Sequence, residues 1–308
     1  MKDSILVFGG GLLQLSIIKR IQNFGYPAIV IDPDETAPAR EIADFFFRVG
    51  GNDFETTKRI ALDFNVKGIV TSATDKPILM MCRIAEELGF LFPSYRSCET
   101  VLNKAKFKRF MEGHNMAHAD GREYHEGDTL SDLNIDFPVI VKPVMNSGSR
   151  GVIKCEDSLS LDKAINETLI HCGNKNFLIE EFVIGDEVSV EVLVQYGKVQ
   201  ILQITDKIVT EPPYNVELGH IQPSRYLYLK DEITDLLQAV VDKLGLDNCA
   251  LHPELKINGN RITIIEIGPR LGGDFITSHL VPLSTGVNME DQLIKISLGI
   301  PTTYGILP

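Results

Sequence analysis

Apolar and polar positions change rhythm along the chain. Ser4-Ile5-Leu6-Val7-Phe8 is a short apolar run closed by Gly9-Gly10-Gly11, and from Leu12 to Phe24 the apolar positions fall at helical spacing, which predicts strand, turn and helix. Ala28-Ile29-Val30-Ile31-Asp32 is a second predicted strand; Phe45 to Val49 and Gly68-Ile69-Val70-Thr71 are further short ones, with helical stretches between. Strands alternating with helices predict a parallel sheet covered by helices on both faces. Pro93 closes this unit, and Ser94 to Asn115 reads as two helical pieces.

A different pattern follows. Phe137 to Pro143 is an apolar strand with Lys142 near its end, Asn146 to Val152 is a loop of small residues entering another strand, and Ser158 to Cys172 reads as a helix, together a small α+β lid. Phe177 to Val183 leads through Gly185 into Glu187 to Val194. Period-two alternation there puts Val188, Val190, Val192 and Val194 on a packing face and Glu187, Ser189 and Glu191 on a polar one. Glu211 to Ser224 is too rich in proline and glycine for regular structure, whereas Asp231 to Leu244 reads as an amphipathic helix. The expected organisation is an N-terminal α/β domain over 1–93, a helical linker over 94–115, a lid over 116–184 and a C-terminal antiparallel unit over 185–308.

Two carboxylates stand out in the closing β-branched runs: Glu254 in His252-Pro253-Glu254-Leu255-Lys256-Ile257, and Glu266 in Ile265-Glu266-Ile267-Gly268-Pro269-Arg270. Such positions suit Mg²⁺ held on a nucleotide, with Arg270 steadying a negatively charged reacting group. A shared ion requires both carboxylates on one face. A two-residue Asn258-Gly259 turn would pair 254 with 263 and leave Glu266 on the opposite face. The expectation is therefore an odd-length loop, spanning 258–260 or 259–261, or a bulge.

Composition narrows the partners. At 308 residues with 44% hydrophobic and 23% charged residues the chain reads as a globular protein of two to three domains. A net charge of −12 argues against a nucleic-acid or anionic-membrane surface, since phosphate binding needs a clustered positive footprint. Cys82, Cys98, Cys155, Cys172 and Cys249 form no CxxC pair and are odd in number, which disfavours a disulfide framework or zinc knuckle. No apolar run reaches the ~20 residues of a membrane span, and residues 5–18 do not read as a signal peptide, so a cytoplasmic location is expected.

Other candidates lie upstream. Lys142 beside Ser147, Gly148, Ser149, Arg150 and Gly151 offers an ammonium and exposed N–H groups to a phosphate chain. The polar face that carries Glu187 fits either a half-exposed strand or a nucleotide pocket in which Glu187 accepts from ribose hydroxyls, and Glu217 and His220 are either ordinary surface-loop residues or candidates to meet a substrate amine. Gly9 to Gly11 with Asp32 could cradle a dinucleotide, but the pattern is not GxGxxG and a tight turn explains it sterically. Asp75 is either a helix cap or substrate-facing.

In series, Asn103-Lys104-Ala105-Lys106-Phe107, Val141-Lys142-Pro143, the 147–151 loop, Glu180-Glu181-Phe182-Val183 with Glu187, and the Glu254 and Glu266 motifs resemble the ATP-grasp superfamily of carboxylate–amine ligases. The resemblance implies an ATP-grasp fold. Lys104, Lys142 and the loop would then contact nucleotide phosphates, Glu180 to Val183 adenine and Glu187 ribose. Glu254 and Glu266 would hold Mg²⁺, or Mn²⁺ in its place, as hard oxygen ligands. Many members carry Asn where this chain has Gly268. Glu217-Leu218-Gly219-His220 and Arg270-Leu271-Gly272-Gly273 look most like bacterial L-amino-acid ligases, which implies that Glu217, His220, Gly272 and Gly273 line the substrate pocket, where Asp75 is a further candidate from its position after a strand. Arg270 and Lys142 would serve catalysis. The implied reaction consumes ATP, forms an acyl phosphate from a small carboxylate and passes the acyl group to an amine. Many relatives carry a larger C-terminal extension after the position of Pro308, and without it the substrate site is expected to be either more open or completed by another subunit, as in a homodimer. Rival readings are a bicarbonate-using carboxylase of the same fold, a nucleotide-binding regulatory protein without turnover, and a dinucleotide oxidoreductase.

Overall fold

The computed structural model describes residues 2–130, 136–146, 148, 150–173, 175–210 and 217–302. Its first sheet contains β1 (Ser4–Phe8), β2 (Ala28–Asp32), β3 (Phe45–Arg48) and β4 (Val66–Val70), all parallel in the order β3-β2-β1-β4. The apolar runs make this sheet because α1 (Leu15–Asn23), α2 (Phe54–Asp63) and α3 (Ile78–Leu88) bury both its faces. Two helices follow, α4 (Tyr95–Leu102) and α5 (Lys104–Gly113). Asn103 ends one and starts the other, its side chain accepting from Lys106 N–H at 2.9 Å.

The lid sheet has β5 (Gly121–His125), β6 (Val139–Pro143), β7 (Ile153–Cys155) and β8 (Asn176–Glu181) in the order β5-β8-β6-β7, with α6 (Ser158–Leu169) packed on its apolar face. The third sheet is antiparallel: β9 (Asp186–Gln195), β10 (Lys198–Val209), β11 (Glu217–Ile221), β12 (Cys249–Asn258) and β13 (Arg261–Gly268), ordered β11-β10-β9-β12-β13. Here α7 (Lys230–Leu244) covers the valine face of β9. The chain ends its described part with α8 (Val281–Thr285) and α9 (Met289–Ser297), and α9 returns to the first sheet, where Met289, Ile294 and Ile296 share a core with Ile5, Val7 and Val70.

Two expectations are corrected. The loop expected over 211–224 contains a strand, since Glu217–Ile221 pairs with β10; an available sheet edge overrides weak local propensity. Residues 211–216 lie outside the described residues. The polar face of β9 is not half-exposed: Ser189 and Glu191 are fully buried, because the segment after β13 folds over that face. Among the described residues no helix is long and apolar enough to cross a membrane.

The triple glycine is explained by the fold. Gly9 sits at φ +98°, Gly10 N–H donates to Asp32 Oδ2 at 2.7 Å, and a Cβ on Gly10 would stand 3.0 Å from Ala39 Cβ. Asp32 thus fixes the turn.

Candidate active site

The hairpin of β12 and β13 turns at Gly259 and Asn260, with Asn258 opposite Arg261. A regular ladder from that turn would set Ile265 against Glu254. Instead the register slips between Glu254 and Leu255: Leu255 pairs with Ile264 and Glu254 with Glu266, so a bulge absorbs Ile265. The parity needed to put both carboxylates on one face is met by the bulge and not by a three-residue loop. Both side chains remain accessible from the cleft, at 21% for Glu254 and 27% for Glu266.

Two carboxylates so close must be compensated. Lys104 Nζ lies 2.8 Å from Glu266 and donates to Asn146 O at 2.7 Å; Lys207 Nζ lies 3.0 Å from Glu254. Burial opposes ionisation of Glu266, yet Lys104 overcomes it and holds this carboxyl down at about 2. At Glu254 burial, with Glu266 and Glu187 nearby, outweighs Lys207 and raises the pKa.

Lys207 was not singled out by the sequence reading. Its side chain is 2% exposed and its ammonium also touches Glu187 at 2.7 Å and Glu217 at 2.5 Å. Burial works against that charge, but the three carboxylates raise its pKa. The signal was available in the period-two set Gln203, Thr205, Lys207, a polar face inside the apolar run of β10.

The lid supplies a second group of charges. Ile140 pairs with Glu180 across β6 and β8, which brings Lys142 diagonally onto Glu180 with Lys108 Nζ 2.8 Å away. Burial alone would raise the Glu180 pKa, but Lys142 and Lys108 lower it. Beyond Glu181, the Phe182 ring carries Lys154 Nζ 4.1 Å above its centroid, and Lys256 Nζ bonds Glu187 at 3.2 Å. One cavity between lid and C-terminal sheet gathers Lys104, Lys142, Gly148, Arg150, Glu180 to Val183, Glu187, Glu217, Glu254, Lys256 and Glu266. Ser147 and Ser149 lie outside the described residues. Gly151 lines no part of this cavity; at φ +75° it packs against His171, where a Cβ would come within 2.9 Å.

At the other end, Arg270 Nε donates to Asp75 Oδ1 at 2.8 Å. The contact is held in place by backbone: Ser72 bridges to Leu271, and Ala73 N–H donates to Leu271 O at 3.1 Å. Asp75 therefore anchors an arginine rather than capping α3 with its side chain. Gly268 permits the arrangement, since a Cβ there would stand 3.1 Å from Arg270 Cζ. Gly272 closes over the buried His252–Glu191 pair, 2.9 Å apart, which explains the glycine sterically; neither it nor Gly273 lines the cavity. Burial would keep His252 neutral, yet Glu191 raises its pKa. Glu217 also joins His220 and Asp274 at the edge of this network, with His220 Nε2 3.9 Å from Glu217 and 3.7 Å from Asp274. His220 Nδ1 is buried without a hydrogen-bond partner among the described residues.

Comparison with known proteins adds three findings. A family profile described as an ATP-grasp domain matches residues 135–278. A formate-dependent phosphoribosylglycinamide formyltransferase of Prochlorococcus marinus (strain MIT 9301) is 23% identical over 324 residues, covering 100% of this chain and 79% of the relative. Among solved structures, an L-amino acid ligase from Bacillus licheniformis superposes with a TM-score of 0.81 at 20% identity, covering 96% of this chain and 74% of the other. The ADP complex of an N5-carboxyaminoimidazole ribonucleotide synthetase does so with 0.82 at 18%, covering 97% and 77%.

Proposed function

We propose that this chain, whose residues 135–278 match an ATP-grasp domain and whose fold is that of ATP-grasp enzymes, is an ATP-dependent ligase that activates a carboxylate as an acyl phosphate and joins it to an amine, with an amino acid as a substrate. The observation that carries this reading is the direct pairing of Glu254 with Glu266 at a cleft whose other walls bring in Lys104 and Lys142. Buried lysines whose ion-pair partners are carboxylates are suited to exchange those partners for phosphate oxygens.

In this reading Lys104, Lys142 and the 147–151 loop hold the phosphates, Glu180 to Val183 the adenine and Glu187 the ribose. Glu254 and Glu266 present hard oxygens from facing positions, which fits Mg²⁺ or Mn²⁺; bound with the nucleotide, the ion supplies charge neutralisation on the phosphates. Gly268 adds no side-chain ligand. The substrate carboxylate attacks the γ-phosphorus and ADP leaves. The amine then attacks the acyl carbon, phosphate leaves and the amine gives up a proton. Both steps concentrate negative charge, so Lys142 and Arg270 act by position and electrostatics. Asp75 holds the Arg270 guanidinium in orientation, and Glu217 with His220 receives the amine substrate.

A second reading takes its support from the curated relatives matched along the whole chain, whose names specify formate as co-substrate and a phosphoribosylglycinamide acceptor. Phosphate release from Mg²⁺-ATP with amino acids, formate and other small carboxylates, singly and in pairs, separates the two. Release that requires a pair of amino acids supports the first reading; release with formate and a phosphorylated amine supports the second; bicarbonate-dependent release without an amino acid would replace both by a carboxylase.

A further inference from the structure

A second cavity, of about 270 Å³, shares Lys104, Asn146 and Glu266 with the nucleotide cleft but extends away from it, between the first sheet and the linker helices. Its walls are Leu79 of α3, Val101 and Leu102 of α4, Met145 after β6 and Ile267 of β13. We propose, on the basis of the ligase reading, that this cavity takes the apolar body of the carboxylate substrate, and that the substrate is an amino acid or related acid with a side chain of several carbons.

The polarity of the cavity is lopsided. Where it meets the nucleotide cleft it presents Lys104, Asn146 and Glu266, and Asp75 stands beside Arg270; apart from Lys76 and Gly268 the remainder is aliphatic or thioether. Its described cations are Lys104, which in the ligase reading is taken up by the nucleotide phosphates, and Lys76, which is exposed. A sugar phosphate would meet one solvated lysine and an apolar wall, and its phosphate would lose hydration without gaining charge-assisted hydrogen bonds. An alkyl or thioether chain loses nothing there and removes its own surface from water. The volume equals several water molecules at ~30 Å³ each, which matches a branched side chain better than a bare carboxyl group. The carboxyl end of such a molecule would then lie at the Lys104–Glu266 wall, next to the phosphates.

The test is a specificity series on the full chain: ADP formation from Mg²⁺-ATP and an amine co-substrate with glycine, alanine, leucine, methionine, phenylalanine and phosphoserine as acyl substrate. It is run on the native protein, on Leu79→Glu and on Leu102→Ala, with melting temperatures for each. The expected result is a kcat/KM rising about tenfold or more from glycine to leucine, a rise abolished in Leu79→Glu, in which leucine loses about tenfold more kcat/KM than glycine does. Leu102→Ala, which enlarges the cavity, should move the preference toward phenylalanine. Equal turnover of glycine and leucine overturns the assignment of this cavity while leaving the ligase intact, as does loss of both substrates together in a folded Leu79→Glu, or a preference for a phosphorylated substrate. Absence of ADP formation with every carboxylate removes the ligase reading itself and the cavity assignment with it.

Discussion

Glu254 and Glu266 occupy equivalent positions on paired strands, yet their surroundings treat them differently. Glu266 holds the Lys104 ammonium and ionises far below its ordinary 4.5, whereas Glu254 is buried beside other carboxylates and resists ionisation. A depressed carboxyl pKa contributes stability that is present above the unfolded value and lost as pH falls from about 4.5 toward about 2; a raised one costs stability at neutral pH. Glu266→Gln should therefore lower the melting temperature of the ligand-free protein at pH 7 by several degrees, because Lys104 loses its carboxylate, on the order of 1–3 kcal/mol. Glu254→Gln should leave it unchanged or raise it, since Lys207 keeps Glu187 and Glu217. Calorimetry without nucleotide reads this sign difference directly, and equal losses would mean that the two sites are not distinguished by charge. Arg270 tests chemistry apart from binding. Arg270→Ala should keep nucleotide affinity within about threefold and lower ligation by roughly 10²–10³, the usual effect of removing one preorganised charge; normal turnover would take Arg270 out of the mechanism.

At the scale of the elements, the β12–β13 bulge and the β8–β9 crossover set the cleft. The bulge turns a hairpin of the wrong parity into one that opposes its two acids. Gly185 lies between the lid strand β8 and β9 at φ +153°, and a Cβ there would come within 2.6 Å of the Ile257 carbonyl oxygen. Only glycine fits, because both the dihedral and the close approach exclude a side chain. Gly185→Ala should destabilise the protein by about 1–3 kcal/mol and weaken ATP binding through displacement of Phe182 and Glu187 on either side. Melting and nucleotide titration of the same variant check both effects, and unchanged affinity in a destabilised protein would uncouple the crossover from the site.

At the scale of the molecule, the lid sheet and the C-terminal antiparallel sheet meet at the nucleotide cleft, so a nucleotide that bridges them should stabilise both. ATP with Mg²⁺ at a hundred times its Kd is expected to add about 2.7 kcal/mol, a shift of several degrees, while NAD should give none; a shift with NAD alone would return attention to Gly9 to Gly11. The parallel and antiparallel sheets, the lysines and both acids were legible in the sequence because hydrophobic periodicity and residue type are local properties. Residue by residue the sequence also shows Lys207, but nothing local marks it as the ammonium that joins Glu187, Glu217 and Glu254. The same holds for Asp75, whose partner Arg270 lies 195 residues away, and for Glu191 and Gly272, whose burial comes from a segment folding across β9. The sequence by itself determined the elements and the kinds of chemical group available to the cleft. The tertiary structure alone decided which charges compensate one another, which face of β13 carries Glu266, and where the apolar second cavity opens, because pairing, register and burial depend on contacts between residues far apart in the chain.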